Sequence, residues 1–105
     1  MNLWEQYNPR REIGDAIAER YRIVPECNGQ DTYAVVKRHL TRRELRCFVM
    51  REGGRPIREI AGKLKTDEEG ARTLVEKIDR KFRRPLLTEA LRRCGDVGED
   101  ATPGR

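Results

Sequence analysis

Hydrophobic residues recur every three or four positions along most of this chain, which is the spacing of amphipathic helices. From about Arg10 to Val24 they fall on one helical face, and Pro25 predicts where that stretch ends. A second helix is expected to begin at Asp31, whose side chain can cap its first turn. Alternating apolar and polar runs never exceed a few residues, so strands are not predicted. The pattern therefore predicts an all-α fold.

The middle of the chain carries the clearest signals for helix ends. Thr41 and Glu44 have the spacing of a capping box, which predicts a helix start. A one-sided helix of about ten residues follows from Pro56, and Asp67 can cap a longer helix that runs to about Arg84. Two helices joined by a short turn, the second one basic, have the outline of a helix-turn-helix. We predict a small multi-helix bundle that contains this unit.

The first 39 residues contain a set of aromatic and aliphatic side chains. This set comprises Trp4, Tyr7, Ile13, Ile17 and Tyr21. As surface residues they would form a docking patch or a dimer seam. As core residues they would pack across the helix-turn-helix, and we favour this interpretation because three short helices alone bury little area. We predict an N-terminal helical extension packing on the core (1–39), a helix-turn-helix domain (40–94) and a disordered tail (95–105).

The net charge of +5 is unevenly distributed along the chain. Residues 1–40 hold 6 basic and 6 acidic side chains, whereas residues 41–84 hold 14 basic and 8 acidic ones. Residues 85–105 hold 3 basic and 4 acidic side chains. Positive charge in the middle segment points to a polyanionic partner such as double-stranded DNA. A solvated helical surface would show the same excess, so charge alone leaves both interpretations open.

The outer face of the longer helix carries the candidate DNA contacts. A helix fits the major groove, where Arg72 and Thr73 could reach base edges. Lys77, Arg80 and Lys81 lie in its C-terminal half and suit phosphates better than bases. Arg83 and Arg84 follow at the helix end, where they could contact phosphates or interact favourably with the helix dipole.

Three motifs in this region resemble region 4 of bacterial sigma factors. Residues 40–44 (Leu-Thr-Arg-Arg-Glu) are similar to the opening of that region, and residues 60–64 (Ile-Ala-Gly-Lys-Leu) to the first helix of its helix-turn-helix. Residues 70–85 resemble its recognition helix, including the ending Arg-Lys-Phe-Arg-Arg-Pro. The resemblance covers about 50 residues, and nothing in the chain resembles the family's region 2. It therefore implies a stand-alone transcriptional regulator, of a kind found in phages or mobile elements, rather than a complete sigma factor.

The resemblance implies roles for individual residues. In that family the recognition helix enters the major groove of the upstream promoter hexamer, and region 4 also binds the flap of the RNA polymerase β subunit. By position, Arg72 matches a DNA-contacting arginine, Thr73 a base-reading glutamine and Glu69 a glutamate that contacts a base. Arg55 and Arg58 lie where family members touch phosphate.

The chain also departs from the family pattern. Glu68 and Gly70 occupy positions that are arginine in primary sigma factors, and Lys65 and Thr66 replace a glycine and an apolar residue of the turn. Fewer cations weaken the attraction to phosphate. The alternative function is therefore a protein-interaction module that docks on RNA polymerase or another transcription factor with little specific DNA binding.

Other classes of function find little support in the sequence. His39 is the only histidine, and the glycines lack the spacing and lysine of a phosphate-binding loop, so we expect no enzyme activity and no cofactor. The cysteines and His39 lack the spacing of a zinc site, and Asp67 to Glu69 do not form a calcium loop. No apolar run approaches the ~20 residues of a membrane span, and no secretory signal is evident, so a cytoplasmic protein is expected.

Overall fold

The computed structural model describes residues 2–93, and within this range the chain forms helices and no strands. The predicted all-α bundle is thereby confirmed. In chain order the helices are α1 (Leu3–Tyr7), α2 (Ile13–Tyr21), α3 (Gly29–His39), α4 (Arg42–Glu52), α5 (Ile57–Lys63), α6 (Glu68–Phe82) and α7 (Pro85–Arg92). The tail predicted for residues 95–105 lies outside the described residues, and the predicted domain boundaries stay a prediction.

Local side-chain caps set most helix starts. The Thr41 hydroxyl accepts from the backbone N–H of Glu44 at 3.1 Å, and the Glu44 carboxylate accepts from the N–H of Thr41 at 2.8 Å. The predicted capping box is therefore confirmed. The predicted cap of α3 is wrong, because the Asn28 side chain accepts from the N–H of Asp31 at 2.8 Å and starts the helix three residues earlier. Helix α1 is not evident from periodicity, because its five residues are too few to show one.

Helix α4 lies at the centre of the bundle. Its Phe48 ring is fully buried and packs 5.8 Å from the ring of Trp4 and 5.3 Å from that of Phe82, measured between ring centroids. Phe82 also stacks on Tyr21 at 4.3 Å. Since aromatic pairs at these distances contribute beyond the area that they bury, this row of rings joins α1, α4, α6 and α2 in one core.

The N-terminal helices contribute to this same core. Trp4, Ile13 and Ile17 are all buried, which confirms the core interpretation for these three residues, while Tyr7 and Tyr21 are partly buried against it. Burying the three apolar side chains stabilises the fold by roughly 1.5–3 kcal/mol each. Residues 1–39 thus supply part of the core on which the helix-turn-helix rests.

A buried carboxylate at the end of α4 binds two arginines of the N-terminal segment and so holds that segment against α4. The Glu52 side chain is only 1% exposed, and it accepts from Arg11 at 3.3 Å and from the Nε of Arg20. Arg11 also pairs with Glu19 on the surface at 2.6 Å. A carboxylate buried this deeply needs such partners, because an unpaired charge in the interior is costly.

The residue after Glu52 must be small because α1 ends against it. A Cβ atom at Gly53 would lie 2.9 Å from the backbone oxygen of Tyr7 and 3.4 Å from that of Val49. Backbone atoms cannot move aside as a flexible side chain can. Gly53 therefore allows the close approach of α1 to α4.

Candidate nucleic-acid interface

Helices α5 and α6 pack against each other and are joined by the four residues 64–67, which gives the predicted helix-turn-helix outline. The Asp67 side chain caps α6 by accepting from the backbone N–H of Gly70 at 2.7 Å. Ala71, Ile78 and Phe82 are buried and share the inner face of α6. Because these residues recur at helical spacing, the opposite face of α6 is left open to a partner along its length.

The turn before α6 explains two of the departures from the sigma factor pattern. Lys65 has a left-handed backbone with φ of 57°, which a glycine would adopt at less cost. The N–H of Thr66 donates to the carbonyl oxygen of Ala61 at 2.9 Å and closes the turn. A Cβ atom at Gly70 would lie 2.1 Å from the Thr66 hydroxyl oxygen, so Thr66 occupies the space that a side chain at position 70 would need.

The three predicted base-contacting residues are exposed in the N-terminal half of α6. The Arg72 side chain is 61% exposed and makes one ion pair, at 3.3 Å to Glu68 one turn earlier. The Thr73 hydroxyl donates to the backbone oxygen of Glu69 at 3.0 Å and can still accept. The structure therefore brings Glu69, Arg72 and Thr73 together on one accessible surface. Their contact with DNA stays a prediction.

The five predicted phosphate-contacting residues differ in their exposure and in their ion pairs. Arg58, Lys77 and Arg80 are exposed, and none of them makes an ion pair within residues 2–93. Arg55 is 46% exposed, pairs with Glu59 at 3.5 Å and lies 5.5 Å from the ring centroid of Tyr7. Cations without partners can approach a phosphate at no cost in broken ion pairs, so the first three fit the predicted role best.

Lys81, the fifth of these residues, is partly buried and already paired within the fold. Its Nζ lies 2.6 Å from the carboxylate of Glu44 and 3.5 Å from the backbone oxygen of His39. Burial raises the pKa of the Glu44 carboxyl, but hydrogen bonds from Lys81 and from the Thr41 backbone outweigh it and lower this pKa below its usual value. Lys81 thus fastens the C-terminal half of α6 to the start of α4, and its role as a phosphate contact stays a prediction.

A second ion pair holds the opposite side of α6 against its neighbouring helices. Asp79 accepts from the Arg51 guanidinium at 3.0 Å and from the Tyr21 hydroxyl at 2.6 Å. Burial, followed by the hydrogen bond to Asp79, raises the pKa of Tyr21 well above its ordinary value. Sequence reasoning missed Asp79 and Glu44 as positioning residues because their partners lie on other helices. Two of these contacts span 58 and 37 positions along the chain.

A groove of about 420 Å³ runs beside α6 on the Arg72 side. Its lining comprises Arg51, Arg55, Ile57, Ile60, Arg72, Val75 and Glu76. The start of α5 therefore borders the same flank of α6 as Arg72. Arg55 and Arg72, predicted separately as phosphate and base contacts, lie on one continuous surface.

No known protein family, curated protein or solved structure matches the chain. Within the described residues, no group of three or more histidine, cysteine or acidic side chains could hold a metal ion. None of the helices described between residues 2 and 93 is both long and apolar enough to cross a bilayer.

Proposed function

We propose that this chain is a DNA-binding transcriptional regulator that reads the major groove with α6, in the manner of sigma factor region 4. The observation that supports this most is the composition of the outer face of α6. Arg72 and Thr73 lie in its first half, and Lys77 and Arg80, which make no ion pair within residues 2–93, lie in its second half. Arginine and threonine can contact base edges, and free cations farther along the same helix suit the phosphates.

The ion pair between Arg72 and Glu68 is compatible with base contact. Both side chains are about half exposed or more, at 61% and 46%, so the pair contributes little to stability. A guanidinium offers five N–H donors, and one contact with Glu68 leaves donors for a base. Because the pair is weak, Arg72 can leave Glu68 for a base at little cost.

The acidic residues at the start of α6 affect which DNA sequence is bound and do not prevent DNA binding. Asp67, Glu68 and Glu69 interact favourably with the positive end of the helix dipole. A carboxylate such as Glu69 can accept from the amino group of cytosine in the major groove. Against phosphates the same charges would repel, so α6 is expected to approach DNA with its first turn over bases.

The test is a selection of bound sequences from a randomised duplex pool, at about 50 mM and about 200 mM salt. Wild-type protein should enrich one motif, and Arg72→Ala should lose this enrichment while remaining folded. Arg92→Ala serves as a control, because Arg92 is an exposed cation at the end of α7 that belongs to neither helix of the unit. Enrichment that survives Arg72→Ala would overturn the assignment of Arg72. If no duplex is bound at either salt, the proposal fails in favour of a module that docks on a protein such as RNA polymerase.

A further inference from the structure

One end of the bundle carries a group of exposed cations, of which the proposed recognition surface uses only Lys77 and Arg80. The contacts of Lys81 with His39 and Glu44 seat the last turns of α6 on the junction between α3 and α4. Six exposed cations lie at the end of α3, at the start of α4, in the second half of α6 and just after it, and we call them the basic end. They are Arg38, Arg42, Arg43, Lys77, Arg80 and Arg84. None of the six makes an ion pair within the part of the chain that the structure describes.

Two acidic groups at this end are already engaged, whereas the exposed Glu76, next to Lys77 and one turn before Arg80, makes no ion pair within residues 2–93. Glu44 is 5% exposed and pairs with Lys81, and Asp79 accepts from Arg51 and Tyr21. On the α7 side, where Arg84 is the N-cap of α7, the exposed Glu89 borders His39. The six cations therefore outnumber the two exposed carboxylates beside them, Glu76 and Glu89.

Two of the cations occupy positions that helix stability disfavours. Arg42 and Arg43 are the first two residues of α4, where the helix dipole and the unpaired backbone N–H groups are positive. An acidic or neutral residue would suit either position better. Residues that break a local stability rule in this way commonly serve a function.

The basic end also lies on a different flank of α6 from the groove that Arg72 lines. Around the helix, Lys77 and Lys81 follow one side and Arg72, Val75 and Asp79 follow the other, while Arg80 lies on the outer face between them. The start of α5 borders the Arg72 side, and the junction of α3 and α4 borders the Lys81 side. Cations are thus available on both flanks of the helix that is proposed to enter the groove.

We propose that the basic end is a second phosphate-contacting surface, which holds one strand of duplex DNA while the start of α5 faces the other. This inference rests on the proposed function of α6. A major groove about 12 Å wide has a phosphate backbone on each side of an inserted helix, so contacts on both flanks would fix its orientation. Duplex DNA is the partner because the surface is continuous with the outer face of α6.

The test is the salt dependence of binding to a duplex of about 30 base pairs, followed by fluorescence anisotropy with the full chain. The variant Arg42→Gln/Arg43→Gln should reduce the slope of log K against log salt by about 1.8, since each lost phosphate contact removes about 0.9. The affinity ratio between wild type and variant should then change about 12-fold between 50 and 200 mM salt. Because the variant removes cations from a helix start, it is expected to fold at least as well as the wild type, which a thermal melt will verify.

A matched control removes two positive charges elsewhere. Arg10→Gln/Arg92→Gln changes two exposed cations that make no ion pair with any described residue, one before α2 and one at the end of α7. Its slope should stay within about 0.5 of the wild-type value, because these residues touch no phosphate in the proposed complex. Equal losses in the two variants would overturn the proposal and leave net charge as the cause. Binding to an RNA duplex tenfold tighter than to DNA would overturn the choice of DNA.

The outcomes also separate this inference from the proposed function. If the wild type enriches a motif that depends on Arg72, but Arg42→Gln/Arg43→Gln behaves as the control does, only the basic end is refuted. If binding depends on Arg42 and Arg43 without any motif or any effect of Arg72→Ala, the basic end is supported and specific reading by α6 is refuted. If the wild type binds no duplex, both fail.

Discussion

The buried carboxylate of Glu52 offers the sharpest test of how the N-terminal helices are held to the rest of the fold. Glu52→Gln keeps the size and shape of the side chain but removes the charge that Arg11 and Arg20 share. Breaking a fully buried ion pair by changing one partner costs about 3–5 kcal/mol. Here the two arginines keep 33% and 36% of their side-chain surface in water and can rehydrate, so we expect a loss of about 2 kcal/mol.

Glu19→Gln is the matched control, because Glu19 pairs with the same Arg11 but is 75% exposed. An exposed pair contributes only about 0–1 kcal/mol, so this variant should lose at most about 1 kcal/mol. Urea denaturation monitored by circular dichroism gives both values. For a domain of this size, the expected 2 kcal/mol also corresponds to a drop of about 10 °C in Tm.

The comparison refutes the reasoning if the two variants lose the same stability within about 0.5 kcal/mol. Burial would then not be what makes the Glu52 contact important. A change in the urea m value for Glu52→Gln would show a different failure, in which the N-terminal helices detach before the rest of the bundle unfolds. The reasoning requires an unchanged m value, because Trp4, Ile13 and Ile17 belong to the common core.

Two further predictions concern the recognition unit. Because the pKa of Glu44 is lower in the folded protein than in the unfolded chain, its contribution to stability is present above about pH 4.3 and is lost as the pH falls through the folded pKa. The stability difference between wild type and Glu44→Gln should therefore shrink on acidification, and urea midpoints at pH 7, 5, 4 and 3 that show a constant difference would contradict this. Gly70→Ala should be more favourable by about 0.5–1 kcal/mol in a Thr66→Ala background than in the wild type, because the Thr66 hydroxyl occupies the space of the new methyl group, whereas the 3.1 Å contact with the Asp67 carboxylate is common to both. Thermal melts of the four proteins would contradict it if the two single effects simply added.

The positions of the main helices could be predicted from sequence because their signals are local. The Thr41 and Asp67 caps act over three residues, and Pro85 stands at the first position of α7. The cap of α3 was predicted at the wrong residue because Asn28 and Asp31 both have suitable side chains. Which one accepts the first hydrogen bond depends on where the preceding loop enters the helix.

The outer face of α6 could be predicted for the same reason, since a helix with buried Ala71, Ile78 and Phe82 must expose the residues between them. Sequence alone could not tell which of its charges are free. Arg80 and Lys81 are adjacent, yet one has no ion-pair partner in residues 2–93 and the other is bound to Glu44.

The sequence by itself determined the all-α class, the helix-turn-helix outline and the exposure of Arg72 and Thr73, because caps and periodicity depend on residues a few positions apart. Only the tertiary structure decided which cations are used inside the fold and where the free ones gather. Those ion pairs join residues 28 and 37 positions apart, and no local pattern encodes which helix ends will meet. The basic end exists for this reason, since it forms only when α6 is seated on the junction of α3 and α4.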